Sequence, residues 1–288
     1  LRIHVADARG DDVDGATVHI ANADGNPPVA AVLSTDADGL VTVSNLPTIG
    51  QYHVVVTRAG YSSDGTMTTS AENPKPLHPP IDLVAGATTD AAFTIDRPGA
   101  LALTFRYDAN GKPFRALTTF TLAGERVVGF QPNPAPPPEL LSIPSAPPQS
   151  FTTNRGAMTI TQLPWDTYHL TAHVQGYDLA TADPPFPIML TPRATVPIVI
   201  TFAPYAAHTL HVTVRDAHGI PIAGAVVTLT DARGTHDRRT TPIHGQLFFT
   251  PLTAGDAQVI MDAPGCTAMQ QSVRIAGHGA LDLRCTSL

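Results

Sequence analysis

The stretch that most constrains this chain is 210–229, LHVTVRDAHGIPIAGAVVTL. Leu210, Val212 and Val214 share one parity and His211, Thr213 and Arg215 the other. That alternation is the pattern of a half-buried β-strand. Asp216-Ala217-His218-Gly219 reads as a turn, with a carboxylate placed to bond nearby backbone and a glycine free to take a positive φ. Pro221 and Gly224 then lead into a second alternating strand, Ala225-Val226-Val227-Thr228-Leu229, so the unit reads as a hairpin. The same pattern opens the chain, at Leu1–Val5, Asp7, Gly10 and Gly15–Ile20. A chain that restarts in this way is a repeat array.

Three copies can be followed. Module one is expected over 1–97, with Asp36-Ala37-Asp38-Gly39, a strand at Leu40–Val43, Tyr52–Val56 ending in Gly60-Tyr61, a strand at Ile81–Val84 and a last one near Ala91–Ile95. Module two is expected over 98–204. It opens at Leu101–Phe105, turns at Asp108–Pro113, and returns through Asn154-Arg155-Gly156, Tyr168–Ala172 and Gly176-Tyr177. Between its halves lies a Pro-rich insertion, 131–149, read as an elaborated loop because the module continues beyond it. Module three is expected over 205–288, through Thr241–Gly245, Leu247–Phe249, Ala257–Met261 and Ala263–Cys266. A spacing of roughly 100 residues suits sandwich domains better than solenoid repeats of about 20–50.

Composition agrees. Charged residues are 14%, against roughly 25% in an average soluble domain, and there are 28 prolines. No window carries sustained helical periodicity, so the expected class is all-β, three tandem Ig-like β-sandwiches. A net charge of −7 argues against nucleic acid, which needs a basic face. Lys75 and Lys112 are the only lysines, so there is no polybasic membrane patch. No apolar run of about 18 residues exists to insert in a membrane. The chain opens at Leu1 inside a strand and is read as a trimmed ectodomain. Cys266 and Cys285 both fall in module three; they are either two buried thiols or, the preferred reading, a disulfide closing one short loop. A disulfide would place the protein outside the cytosol.

The opening run Val214, Asp216, Gly219, Pro221, Ile222, Gly224, Ala225, Val227, Leu229, and the middle run Asp36, Gly39, Leu46, Gly50, Tyr52, Gly60-Tyr61, resemble the carboxypeptidase regulatory-like domain family. Its relatives are the transthyretin-like (prealbumin-like) and collagen-binding B-type sandwiches. The resemblance covers nearly the whole chain and is weakest in module two. It implies a Greek-key, prealbumin-like sandwich of seven or eight strands, used as a non-catalytic stalk, spacer or adhesion module on bacterial surface and secreted proteins. Two chemistries of the relatives find no footing. The Lys–Asn cross-link of collagen-binding B-type domains needs a first-strand lysine, and Lys75 and Lys112 lie in a loop and a turn. The hydroxyisourate hydrolases end in Tyr-Arg-Gly-Ser, and this chain ends in Leu283-Arg284-Cys285-Thr286-Ser287-Leu288.

Candidate chemistry is sparse. His169 and His173 are about 13 Å apart on an extended strand, too far for one ion. His4, His19, His53 and His211 are expected at outward, solvated positions, with a cross-strand pair of His4 with His19 or His53 as the alternative. Asp11, Asp12 and Asp14, and Asp36 and Asp38, lack the distal Glu of a calcium loop and read as turn chemistry. No triad or carboxylate pair is argued by spacing. No catalytic residue, metal or cofactor is therefore expected. Trp165, on the turn before the Tyr168 strand, and Phe130, Leu140 and Leu141, at and within the Pro-rich insertion, are the candidate ligand or interface contacts. The expected function is a non-enzymatic extracellular or cell-surface protein of bacterial type, a stalk, adhesin or pilus-like fibre subunit. Partners would be other proteins or further copies, reached through sandwich edges and the Pro-rich loop. The alternative is a carbohydrate-binding accessory module of a secreted enzyme, with Trp165 stacking on a glycan.

Overall fold

The computed structural model describes residues 1–22, 28–68, 77–108, 111–125, 130–132, 140–142 and 149–285. Every regular element in them is a strand. The first sandwich has β1 (Arg2–Ala6), β2 (Thr17–Asn22), β3 (Val29–Ser34), β4 (Leu40–Thr42), β5 (His53–Thr57), β6 (Asp64–Gly65) and β7 (Asp90–Thr94). They form the sheets β4-β1-β7 and β3-β2-β5-β6, with β1 antiparallel to β4 and parallel to β7. The second has β8 (Gly99–Tyr107), β9 (Thr118–Gly124), β10 (Phe130–Pro132), β11 (Leu140–Ser142), β12 (Gln149–Thr153), β13 (Ala157–Leu163), β14 (Asp166–His173), β15 (Tyr177–Asp183), β16 (Ile188–Leu190) and β17 (Thr195–Pro204). Its sheets are β13-β8-β17-β15 and β12-β9-β14-β16, with β10 and β11 pairing apart as a hairpin. The third has β18 (Thr209–Arg215), β19 (Val226–Thr230), β20 (His236–Thr240), β21 (Gln246–Phe249), β22 (Gly255–Asp262), β23 (Met269–Ile275) and β24 (His278–Arg284), in the sheets β21-β18-β24 and β20-β19-β22-β23.

One plan is thus written three times. The first strand is central in its sheet and parallel to the last strand, and the second strand starts the facing sheet. Each sandwich closes over its own core. Ile3, Val18, Tyr52 and Ile95 are fully buried in the first, and Val212, Val227 and Phe249 in the third. In the second, Phe105, Phe114 and Phe202 stack between the sheets. In β2, β8 and β18 buried residues fall at every second position, so the alternation read from sequence is the alternation that separates core from solvent.

The repeated opening is not a hairpin. β1 and β2 lie in opposite sheets, as do β18 and β19. Only the turn folds back: Val13 N–H donates to Val5 O, and Ile222 N–H to Val214 O. The chain then crosses over. The crossing is held by a buried threonine, Thr35, whose hydroxyl donates to Val13 O at 2.6 Å and accepts from Ala16 N–H at 2.8 Å. Thr241 does the same for Ile222 O and Ala225 N–H. Alternation specifies which face of a strand is buried and is silent about its partner, which is why two alternating runs around a turn read as a hairpin.

Two further expectations change. The strand expected at Ile81–Val84 reduces to a single bridge between Ile81 and Tyr52. β3 and β15 are strands the sequence pattern does not mark: β3, VAAVLS, has no alternation of apolar and polar residues, and β15 begins at the Gly176-Tyr177 pair that reads as a strand end. Most of the Pro-rich insertion, 133–139 and 143–148, lies outside the described residues, as does Lys75.

Candidate functional site

Charged side chains from different sandwiches meet at the junctions between them. After β1 the chain turns at Asp7, whose Oδ1 accepts from Arg9 N–H at 2.8 Å and Asp11 N–H at 3.1 Å. Its Oδ2 faces the second sandwich, where Arg193 Nη2 approaches to 3.3 Å. The same guanidinium reaches Asp96 Oδ1 through Nε at 3.4 Å. Both carboxylates are nearly sealed, Asp7 at 6% and Asp96 at 1% exposed. Asp96 also accepts from Ala8 N–H and Arg97 N–H. A buried carboxylate needs such partners, since leaving it bare costs several kcal/mol. Arg193 sits in the turn between β16 and β17 with φ at 62°, a left-handed conformation that is uncommon for a residue with a side chain. Its N–H donates to Arg97 O, so backbone and guanidinium together fix it across the joint.

The second junction repeats the device. Asp108, in the turn after β8, accepts from Arg239 Nη1 of β20 at 2.8 Å. Arg239 Nε also donates to Asp237 at 3.0 Å, and the guanidinium lies over the Phe249 ring. Burial disfavours the Arg239 charge, but Asp108 and Asp237 outweigh it and hold the guanidinium above its ordinary pKa. His244 Nε2 meets Asp183 Oδ1 at 2.8 Å. Phe248 packs on Ala180 and Ala203 of the second sandwich, all three buried. Phe248 is paired with His211 across β18 and β21. Burial lowers the His211 pKa, opposed by a bond with Gln246.

The residues singled out from sequence are scattered relative to these joints. Trp165 is only partly exposed, between buried Leu163 and Asp166. Phe130 and Leu140–Leu141 lie in β10 and β11, apart from the two main sheets. His211 is half-buried, where its outward parity suggested a solvated position. His4 is in the opposite sheet from His19 and His53, so that cross-strand pair does not form; His4 instead meets Asp12 at 2.7 Å. His169 is bonded to Glu125 at 2.6 Å. Asp36 Oδ1 accepts from Asp38 N–H and Leu40 N–H, an ordinary turn. Among the described residues no three His, Cys, Asp or Glu converge as metal ligands. Cys266 and Cys285 are joined by a disulfide, with Cα atoms 5.5 Å apart, tying the loop before β23 to the end of β24.

Tandem sandwiches with parallel first and last strands and a turn aspartate define the class. The family model described as the carboxypeptidase regulatory-like domain matches residues 1–96 and 209–286. The chain belongs to that family. No curated protein matches it. Among solved structures it is similar to the Bacillus anthracis TIE protein, at 16% identity over all of this chain, with a TM-score of 0.28. It spans about 50% of that protein's length. It is also similar to the major pilin subunit BcpA of Bacillus cereus, at 11% identity over 100% of this chain and 99% of that one, TM-score 0.26. The shaft pilin SpaA of Lactobacillus rhamnosus GG is 13% identical over 71% of this chain and 97% of that one, TM-score 0.28.

Proposed function

We propose that this chain is a non-enzymatic, extracellular structural subunit of bacterial type, a stalk or fibre segment built of three modules bounded at 1–97, 98–204 and 205–288. The observation that carries the reading is the pair of joints. Each places an arginine of one sandwich on the turn aspartate of the preceding one, and the second adds a buried apolar contact. Independent binding modules on flexible linkers have no need of such contacts; a chain that transmits load or holds a spacing does. The disulfide supports an oxidising location. No observation favours the carbohydrate-binding alternative, because Trp165 offers only part of its ring to solvent.

The test is electron microscopy of the purified chain at high protein concentration, with glycan-array binding in parallel. Filaments or end-joined rods support the subunit reading. Isolated particles at every concentration, or glycan binding lost in Trp165→Ala, overturn it.

A further inference from the structure

Among the described residues, β3, β12 and β20 take the same topological position, the sheet edge beside the second strand. Exposed edges invite pairing with another chain, and proteins commonly guard them with charge. β20, HDRRT, is guarded by Asp237, Arg238 and Arg239, the last also tied to Asp108. β3, VAAVLS, has no charge, no proline and no bulge over six residues paired in register with β2. None of its residues is buried, and Val32 is 62% exposed. This neutral edge belongs to the most charged part of the chain. Residues 1–97 carry twelve acidic side chains against five basic, whereas 98–204 and 205–288 each carry six of both. The whole net charge of −7 therefore resides in the first sandwich.

That asymmetry selects the occupant. Pairing β3 with β3 of another copy would bring two strongly acidic sandwiches together, which like-charge repulsion opposes. The outer edge strand of the third sandwich, β23, MQQSVRI, has no acidic residue and one cation, Arg274, in a region without net charge. Gln270, Gln271 and Ser272 are all exposed there. Val32 and Ser272 both point away from the core of their sandwich, since their neighbours Leu33 and Val273 pair with inward-facing Val18 and Ala257.

We propose that β3 of one copy pairs with β23 of a second copy, joining the four-stranded sheets of the first and third sandwiches head to tail. Such a contact uses two different surfaces, so it is heterologous and propagates instead of closing at a dimer. Backbone hydrogen bonds supply the affinity, and the lone cation of β23 against the acidic first sandwich supplies the direction. The proposal rests on the subunit reading above and specifies the contact.

Sedimentation velocity of the full chain tests it, comparing wild type with Val32→Lys, which installs the charge that β20 already carries. Val32 is exposed, so an unchanged thermal melt is expected and shows that folding is intact. The proposal expects wild-type association weakened at least tenfold in Val32→Lys. A second arm mixes Val32→Cys and Ser272→Cys chains under mild oxidation and expects mixed cross-linked dimers to dominate. Association undiminished in Val32→Lys, or predominance of Val32→Cys homodimers, overturns this edge pairing and leaves the subunit reading standing. A wild type that is monomeric throughout overturns both.

Discussion

Arg193 Nη2 lies 3.3 Å from Asp7 Oδ2, across 186 residues of sequence. One oxygen of Asp7 shapes its own turn while the other receives the next sandwich. Asp108, like Asp7 the first residue after its strand, receives Arg239 from the turn after β8. A residue placed by local turn chemistry thereby becomes half of a long-range joint.

Replacing Arg193 with Met removes the cation and leaves Asp7 and Asp96 nearly buried without it. Because Arg193 is itself 38% exposed in its side chain, the cost should be well below that of a sealed pair, about 1–2 kcal/mol. The expected outcome is faster proteolytic cleavage near Arg97 and a lower unfolding midpoint for the first sandwich, with the third unchanged. Chemical denaturation followed by limited proteolysis reads both.

Thr35→Val and Thr241→Val keep shape and lose the hydroxyl. Each leaves a carbonyl and an N–H unpaired at a crossing where the threonine is 4% exposed. A loss of about 2 kcal/mol is expected in each case. Equal losses in urea unfolding would show that the repeated clamp works alike in the first and third sandwiches; a change under half a kcal/mol at either site would contradict its role there.

Opening the Cys266–Cys285 disulfide, or replacing both residues with Ser, frees a loop spanning 19 positions. The chain-entropy relation assigns such a loop about 3 kcal/mol. The third sandwich should then unfold earlier in denaturant while the first keeps its midpoint.

His211 gives the molecule an acid-sensitive element. Burial holds its pKa below the ordinary value of about 6.5. In the unfolded chain it takes a proton as pH falls through about 6.5, whereas in the fold it stays neutral to lower pH. The unfolded state therefore binds more protons in that window, and the stability fully present above it declines as pH falls. His211→Gln removes this contribution, so its stability should depend less steeply on pH below about 6.5. An NMR titration finding His211 protonated at or above its ordinary pKa would contradict the assignment.

The architecture was legible because alternation, turn glycines and their restart are local. Gly39 and Gly245 show how literal the pattern is: both have positive φ, and at each a Cβ would strike the carbonyl oxygen of the first strand, Val5 or Val214. The strand partners of the opening unit were not legible, since the same alternation serves a hairpin and a crossover. Nor were the joints. Asp7 and Arg193, or Phe248 and Ala180, meet only after two sandwiches have closed, and nothing in their own neighbourhoods marks them. The outward parity of His211 pointed to water because parity is defined within one sandwich. The neighbouring Phe248, which shares that face, packs on the second sandwich instead.

The central claim is that this chain assembles with itself as a structural subunit. A concentration series by sedimentation velocity on the unmodified chain tests it most directly. The account predicts a sedimentation coefficient that keeps rising with concentration, without a plateau at dimer. A single monomer coefficient across the whole series would contradict it.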